Sequence, residues 1–162
     1  MSVHILSIWV ENQVGILSKV VTLIGDEGVS IDSLAVGVLE RNSSTRMTVA
    51  VDTDDDKVKT IISRMNKIPS LIKVKEISQN ESLLKELVLI MVDAPEEKRL
   101  NIISIAEVFR AKIVDVGYST MTIEISGNSD KIKALEDILR PFGIREIVRT
   151  GVIAIERGNR GV

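Results

Sequence analysis

The chain has 162 residues, a formal net charge of −2 and 44% hydrophobic residues, which suffices for a packed core in one ordinary domain or two small ones. A charge this small argues against a general affinity for nucleic acid or for an anionic membrane surface. The absence of cysteine excludes a disulfide framework, a thiolate metal site and a cysteine nucleophile. The apolar runs are far shorter than the roughly 20 residues of a membrane span and no signal-peptide pattern is present, so we expect a cytoplasmic protein.

The first half of the chain alternates between the two-residue apolar period of strands and the spacing of amphipathic helices. Gly28 is placed to cap the end of the first helix, and Pro69 prevents the second helix from continuing. The predicted elements are a strand at 4–10, a helix at 15–27, strands at 30–39 and 46–51 joined by a polar turn at 40–44, a helix at 54–67 and a strand at 71–77. This order is that of a ferredoxin-like βαββαβ unit.

The second half repeats this order after a short polar linker at 78–82. The predicted elements are a strand at 86–92, a helix at 100–110, a hairpin of strands at 112–116 and 120–126, a helix at 130–139 and a final strand at 144–155 that is interrupted at Gly151. The predicted domains therefore span residues 2–78 and 83–157.

An internal repeat supports this division. The tract 46–59 recurs 74 positions later as 120–133, with identical methionine, threonine, aspartate and two lysine residues at matching positions. The apolar spacing in each copy changes from that of a strand to that of a helix at the same point. The repeat therefore indicates two similar units in tandem. The predicted fold class is α+β, with two tandem ferredoxin-like βαββαβ units.

Several familiar sites are excluded by their spacing. Asp52, Asp54 and Asp56 have the alternate spacing of a calcium loop, but Lys57 stands where that loop needs glycine. No GxxxxGK[ST] phosphate loop is present, and aromatic residues are too few for the base-stacking sheet of an RNA-recognition fold. The only histidine, His4, lies in a strand and is interpreted as structural. We therefore predict no catalytic residue and no metal ligand.

One loop has the chemistry of a ligand site. Residues 11–15, Glu-Asn-Gln-Val-Gly, lie between the first strand and the first helix, where unpaired N–H groups favour an anion. Gly15 lets the backbone approach a ligand, and Asn12 offers both a donor and an acceptor. Such a loop suits the carboxylate and the ammonium of a free amino acid. The alternative, which the residues alone leave open, is that Asn12 is a turn or capping residue and Gly15 a tight turn.

The stretch 5–20 resembles the opening of an ACT domain, the amino-acid-sensing module, and more specifically that of the small regulatory subunits of acetolactate synthase, also called acetohydroxyacid synthase. Further stretches similar to these subunits are 28–34, 36–37 and 45–48 in the first half, and 109–116 and 149–152 in the second. Each motif is weak alone, but together and in order they extend nearly from end to end. The second half is accordingly expected to be an ACT-like C-terminal domain.

The resemblance implies a non-catalytic regulatory subunit without a cofactor of its own. Its implied partner is a catalytic large subunit that holds thiamine diphosphate, magnesium and FAD, whose activity it raises and makes sensitive to valine. The first units are expected to pair side by side in a homodimer, with the amino acid at their interface. The implied effector-binding residues are Asn12, Gln13, Val14, Gly15, Ile16 and Leu17 of one chain, with Ser30 and Ile31 of the other.

Two residues depart from the family pattern at this expected site. Ser30 stands where the family usually has asparagine, and Val14 replaces a more usual serine or proline. Serine has a single hydroxyl where asparagine has both a carbonyl and an amide NH2. We therefore expect weaker valine binding than in a typical member.

Two other functions compete with this interpretation. A stand-alone tandem amino-acid sensor could control another partner, such as a transcriptional repressor, but the matched residues 109–110 and 149–151 argue against it. A small ferredoxin-like enzyme such as an acylphosphatase needs an arginine in a glycine-rich anion loop. Residues 11–15 have an acid, Glu11, instead.

Overall fold

The computed structural model describes residues 2–39 and 43–158, and its packing divides them into two units. Residues 2–84 and 152–158 form the first unit, and residues 85–151 form the second. Each contains a four-stranded antiparallel path with two helices against one of its faces. The predicted fold class, α+β with two tandem ferredoxin-like units, is confirmed.

The first unit follows the predicted order of elements. They are β1 (Ser2–Glu11), α1 (Ile16–Asp26), β2 (Ile31–Leu39), β3 (Ser44–Thr53), α2 (Asp55–Met65) and β4 (Leu71–Glu76). The sheet order is β2-β3-β1-β4, so β2 and β4 are its edges. Alternate residues of the central strands, such as Leu6, Ile8 and Val49, pack against Val20 and Ile24 of α1 and the apolar residues of α2. The predicted turn at 40–44 lies mostly outside the described residues, since only 43 and 44 fall within them.

The second unit repeats this architecture. Its elements are β5 (Ser82–Asp93), α3 (Arg99–Val108), β6 (Lys112–Val116), β7 (Thr120–Gly127), α4 (Ser129–Leu139) and β8 (Ile144–Arg149). Its strand order, β6-β7-β5-β8, matches that of the first unit. Val88, Ile90 and Val92 on β5 pack against Ile102 of α3 and Leu135 of α4.

The internal repeat is visible at the second helix of each unit. Asp54 caps α2 by accepting the N–H of Lys57 at 2.9 Å, and Asn128 caps α4 by accepting the N–H of Lys131 at 3.0 Å. These caps are 74 positions apart, as the repeat predicts, and each satisfies an N–H group that the helix leaves unpaired. The repeated sequence therefore fixes the same strand-to-helix junction twice.

The end of the chain differs from the prediction. The expected strand at 144–155 is two strands, β8 and β9 (Ile153–Glu156), because Gly151 between them has a φ of 81° and turns the chain. Buried Ala154 of β9 packs with Ile5, Ala50 and Ile77 of the first unit. Residues 152–158 thus pack with the first unit, while the predicted domain bounds, 2–78 and 83–157, remain predictions.

The start of the second half also differs. The expected linker at 78–82 contains a 3₁₀ turn at Gln79–Glu81, and β5 begins at Ser82, four residues before the predicted strand at 86. Arg157 N–H donates to the Glu81 carbonyl at 2.9 Å, and β9 pairs with β5. The first residues of β5, 82–84, belong to the first unit, and the rest of the strand belongs to the second.

Candidate functional site

The loop at residues 12–15 begins where β1 ends, and backbone hydrogen bonds fix its start. Glu11 N–H donates to the Ser70 carbonyl and Asn12 N–H to the Ser43 carbonyl, both at 2.9 Å. The Asn12 side chain is exposed, and within the described part of the chain it makes no side-chain hydrogen bond. The backbone of Asn12 is therefore fixed, and its side-chain amide offers a donor and an acceptor to solvent.

The neighbouring Gln13 has a different environment. Its amide nitrogen donates to Glu11 at 2.9 Å, and its amide oxygen accepts from the Ser70 hydroxyl at 2.8 Å. The side chain thus ties the loop to the start of β4, so any polar contact of Gln13 with a ligand would compete with these bonds. Sequence reasoning placed Gln13 in the site but could not detect its tie to Ser70.

The helix after the loop begins without a side-chain cap. Gly15 is the N-cap residue of α1 in the left-handed conformation, with a φ of 83°, and no side chain accepts a hydrogen bond from the first turn. Of the residues around it, Val14 is fully exposed, Leu17 is partly exposed and Ile16 is buried in the core of the first unit. The Ile16 N–H donates to the Gln13 carbonyl at 3.3 Å, so the N–H groups left for a ligand are those later in the first turn, beside the apolar surface of Val14 and Leu17.

Gly15 also borders a shallow groove of about 550 Å³. The charged residues that line it are Lys19, Asp26, Arg64 and Lys67. Arg64 forms an ion pair with Glu27, and the hydrogen bond from Arg64 to Glu27 is the main cause of the raised pKa of Arg64. Because Arg64 is paired, Lys19 and Lys67 give the groove a net positive charge. This charge favours an anionic group in the groove beside Gly15.

The other predicted residues, Ser30 and Ile31, lie at the opposite end of the sheet. Ile31 pairs with Val51 of β3, whereas the loop comes directly after Glu11, which pairs with Ser44 of the same strand. Ser44 and Val51 are seven residues apart, or about 23 Å along an extended strand. One chain therefore does not bring the two predicted halves of the site together.

A serine–histidine–glutamate relay is present that sequence reasoning missed. The Ser2 hydroxyl lies 3.0 Å from Nε2 of His4, and Nδ1 of His4 lies 2.6 Å from Glu76. The spacing of Ser2 and His4, two residues apart on one face of a strand, was the available signal. Nε2 is also 3.4 Å from the carboxylate of Asp55.

The surroundings of this relay do not suit hydrolysis. A cavity of about 410 Å³ beside Ser2 is lined by Lys59 and by the acids Asp54, Asp55 and Asp56. An oxyanion formed there would face carboxylates instead of the donors that stabilise it. The histidine is therefore part of a polar network at the start of β1, consistent with its structural interpretation.

Metal-binding clusters and membrane-spanning helices are both absent from the described ranges. No group of three or more histidine, cysteine, aspartate or glutamate side chains is arranged there to hold a metal ion. No helix among these residues is long and apolar enough to cross a membrane.

Comparison with known proteins identifies the family. Residues 6–73 match the small subunit-like ACT domain of acetohydroxyacid synthase, and residues 85–158 match the family described as small subunit of acetolactate synthase. The chain is 43% identical to a probable acetolactate synthase small subunit of Archaeoglobus fulgidus, over 97% of this chain and 98% of that one. It is 41% identical to the acetolactate synthase small subunit of Mycolicibacterium smegmatis, over 98% and 94%.

A solved structure agrees with this assignment. The acetolactate synthase small subunit of Thermotoga maritima superposes with a TM-score of 0.89 at 32% identity, covering 98% of this chain and 99% of that one. Both units and their order are therefore shared along almost the whole length. The chain belongs to the family of acetolactate synthase small subunits, the non-catalytic regulatory partners of a catalytic large subunit.

Proposed function

We propose that this chain binds the catalytic large subunit of acetolactate synthase, raises its turnover and makes it sensitive to valine. The observation that supports the effector site best is the combination of an uncapped α1, a left-handed Gly15 and a fully exposed Val14 in one loop. The exposed apolar surface suits the side chain of a hydrophobic amino acid, and the neighbouring unpaired N–H groups suit its carboxylate.

In the proposed complex the effector carboxylate accepts hydrogen bonds from the N–H groups of the first turn of α1, where the helix dipole also favours an anion. The Asn12 amide hydrogen-bonds a polar group of the effector, and Leu17 and Val14 contact its isopropyl group. Ser30 and Ile31 come from a second copy of the chain, because their own chain holds them about 23 Å away along the sheet. The effector-binding form is thus a homodimer.

Regulation then results from a shift of population. An amino acid that bridges two first units stabilises the dimer geometry that it fits, and this form of the complex is the less active one. Thiamine diphosphate, magnesium and FAD belong to the large subunit, and this chain contributes no residue to them. Both subunits act in the cytoplasm, and neither nucleic acid nor membrane is a partner.

Reconstitution tests the proposal. The purified chain is expected to have no acetolactate synthase activity, and its addition to the cognate large subunit should raise turnover to a plateau at a fixed ratio. Valine should then inhibit the reconstituted complex more than it inhibits the large subunit alone. Pyruvate turnover by the isolated chain, or no change in the large subunit's activity, would contradict the proposal.

A further inference from the structure

The two units share the backbone frame that surrounds the effector loop. In each, the last residue of the first strand and the residue after it donate N–H groups to two neighbouring segments. In the first unit these bonds are Glu11 to Ser70 and Asn12 to Ser43, both at 2.9 Å, and in the second they are Asp93 to Gly143 and Ala94 to Ser119, both at 2.8 Å. The second unit therefore retains the framework of the first.

The segment after this frame differs between the units. In the second unit a 3₁₀ turn at Glu96–Lys98 precedes α3, and Arg99 is the first residue of that helix. Nε of Arg99 donates to the Ala94 carbonyl at 3.0 Å, and one terminal nitrogen donates to the carbonyls of Gly117 and Tyr118 at 2.9 and 2.5 Å. Three carbonyl oxygens from two separate segments thus converge on one guanidinium.

This guanidinium is held by carbonyl groups and not by a carboxylate. Across the described residues no acidic side chain lies within ion-pair distance of Arg99, although arginines usually pair with carboxylates where they are partly buried. A cavity of about 500 Å³ opens beside it, with Glu96 as its one acid. Without the Arg99 side chain, the three carbonyl oxygens and Glu96 would line a partly enclosed cavity with a negative electrostatic potential.

We infer that the carbonyls of Ala94, Gly117 and Tyr118 form a binding site for an organic cation, and that Arg99 is its built-in occupant. The class of ligand it takes is a guanidinium or a primary ammonium, since both carry a positive charge and several N–H donors. The site is closed in the native chain because the arginine fills it. Resting on the proposed function, this occupation closes the second unit to an amino acid, whereas the start of α1 (Ile-Leu-Ser-Lys) has no arginine.

The test removes the occupant and offers a replacement. Arg99→Ala in the full chain is expected to lower the melting temperature by about 5 °C or more, because three carbonyls lose a charged donor. Ethylguanidinium at millimolar concentration should then raise the melting temperature of Arg99→Ala by about 3 °C, as a ligand of the folded state does. The parent chain and the matched control Arg140→Ala, which truncates an exposed arginine of the same unit, should not respond.

Tetramethylammonium has the charge without N–H donors, so it should not stabilise Arg99→Ala. If ethylguanidinium has no selective effect on a folded Arg99→Ala, or if tetramethylammonium acts equally, the inference is wrong. A second measurement needs only the parent chain: the Nε–H signal of Arg99 in nitrogen-15 NMR should exchange with water at least about tenfold more slowly than that of Arg140. Equal exchange rates would overturn the inference. Neither experiment uses valine or the large subunit, so failure of the proposed function would not affect the outcome.

Discussion

Asn12 has its backbone fixed and its side chain exposed, which is the arrangement expected of a residue that meets a ligand. Its N–H is bonded to the Ser43 carbonyl, so the side chain needs no reorganisation of the loop before it contacts an effector. Gln13, in contrast, uses both ends of its amide within the chain. Of the two adjacent amides, Asn12 is therefore the better placed to determine effector affinity.

Replacement of Asn12 tests this assignment. Asn12→Ala should weaken valine binding by roughly 1.5–3 kcal/mol, about ten- to a hundredfold, because a hydrogen bond to a charged ligand group is lost. Isothermal titration calorimetry measures the change, with Asn101→Ala on α3 of the second unit as the control. The large subunit should still be activated, since we expect activation to use other surfaces. Equal valine affinity in mutant and parent would reduce Asn12 to a turn residue.

Ser30 gives the opposite test, a gain of binding. It is exposed and immediately precedes β2, so an asparagine there can be accommodated without a change in the core. Ser30→Asn should tighten valine binding by roughly 0.5–1.5 kcal/mol, the net worth of one hydrogen bond. Valine inhibition curves of the reconstituted complex measure this change. An unchanged or weaker response would mean that only the backbone of residue 30 matters.

At the scale of elements, the parts set by local chemistry were predictable and the long-range parts were not. The caps at Asp54 and Asn128 and the glycine at 28, with a φ of 68°, are sequence-local, and they end or begin helices close to the predicted bounds. The alternation in β9 shows which residues share a face but not which sheet that face meets. The effector loop was predictable because its residues are consecutive in the sequence. The hydrogen bond between Gln13 and Ser70 was not, because it joins residues that are 57 positions apart.

The attachment of β9 to the first unit is expected to depend on pH. Glu156 pairs with Lys75, and this hydrogen bond, with the nearby charges of Lys75, Lys73 and Arg46, lowers the pKa of the Glu156 carboxyl. Because the pKa of Glu156 is lower in the folded chain than in the unfolded one, its ionised carboxylate stabilises β9 fully above the pH where an unfolded glutamate titrates, about 4.3. This contribution is lost as the pH falls through the pKa of the folded chain.

Hydrogen exchange at the backbone amides of β9, corrected for the intrinsic rate, measures this attachment. The parent chain should lose protection at Ala154 and Glu156 as the pH falls through the acidic range. Glu156→Gln should be less protected than the parent at neutral pH and should not lose further protection in the acidic range, while the control Glu146→Gln, an exposed acid of β8, should behave as the parent does. An unchanged acid response in Glu156→Gln would assign the pH dependence to another group.

At the scale of the whole molecule, the distance between the two parts of the proposed site predicts that effector binding needs two copies of the chain. The loop and the Ser30–Ile31 segment lie at opposite ends of the first sheet, about 23 Å apart along β3. Antiparallel pairing of β2 with the β2 of a second copy would bring the start of one strand to the end of the other. It would also cover an unpaired edge that exposes Val36, Val38 and Leu39.

A charge on that edge should therefore separate the copies. Val38 is 64% exposed in the single chain, so Val38→Lys should leave the fold intact while it places a charge in the pairing edge. The matched control is Ile72→Lys on β4, the other edge of the same sheet, where the residue is 58% exposed.

Light scattering at micromolar concentration should give at least a dimer for the parent chain and for Ile72→Lys. Val38→Lys should shift toward monomer and lose valine binding in the same preparation, because the proposed effector site takes residues from both copies. A monomeric parent chain, or a Val38→Lys variant that stays dimeric and binds valine as the parent does, would exclude β2 pairing as the basis of the site.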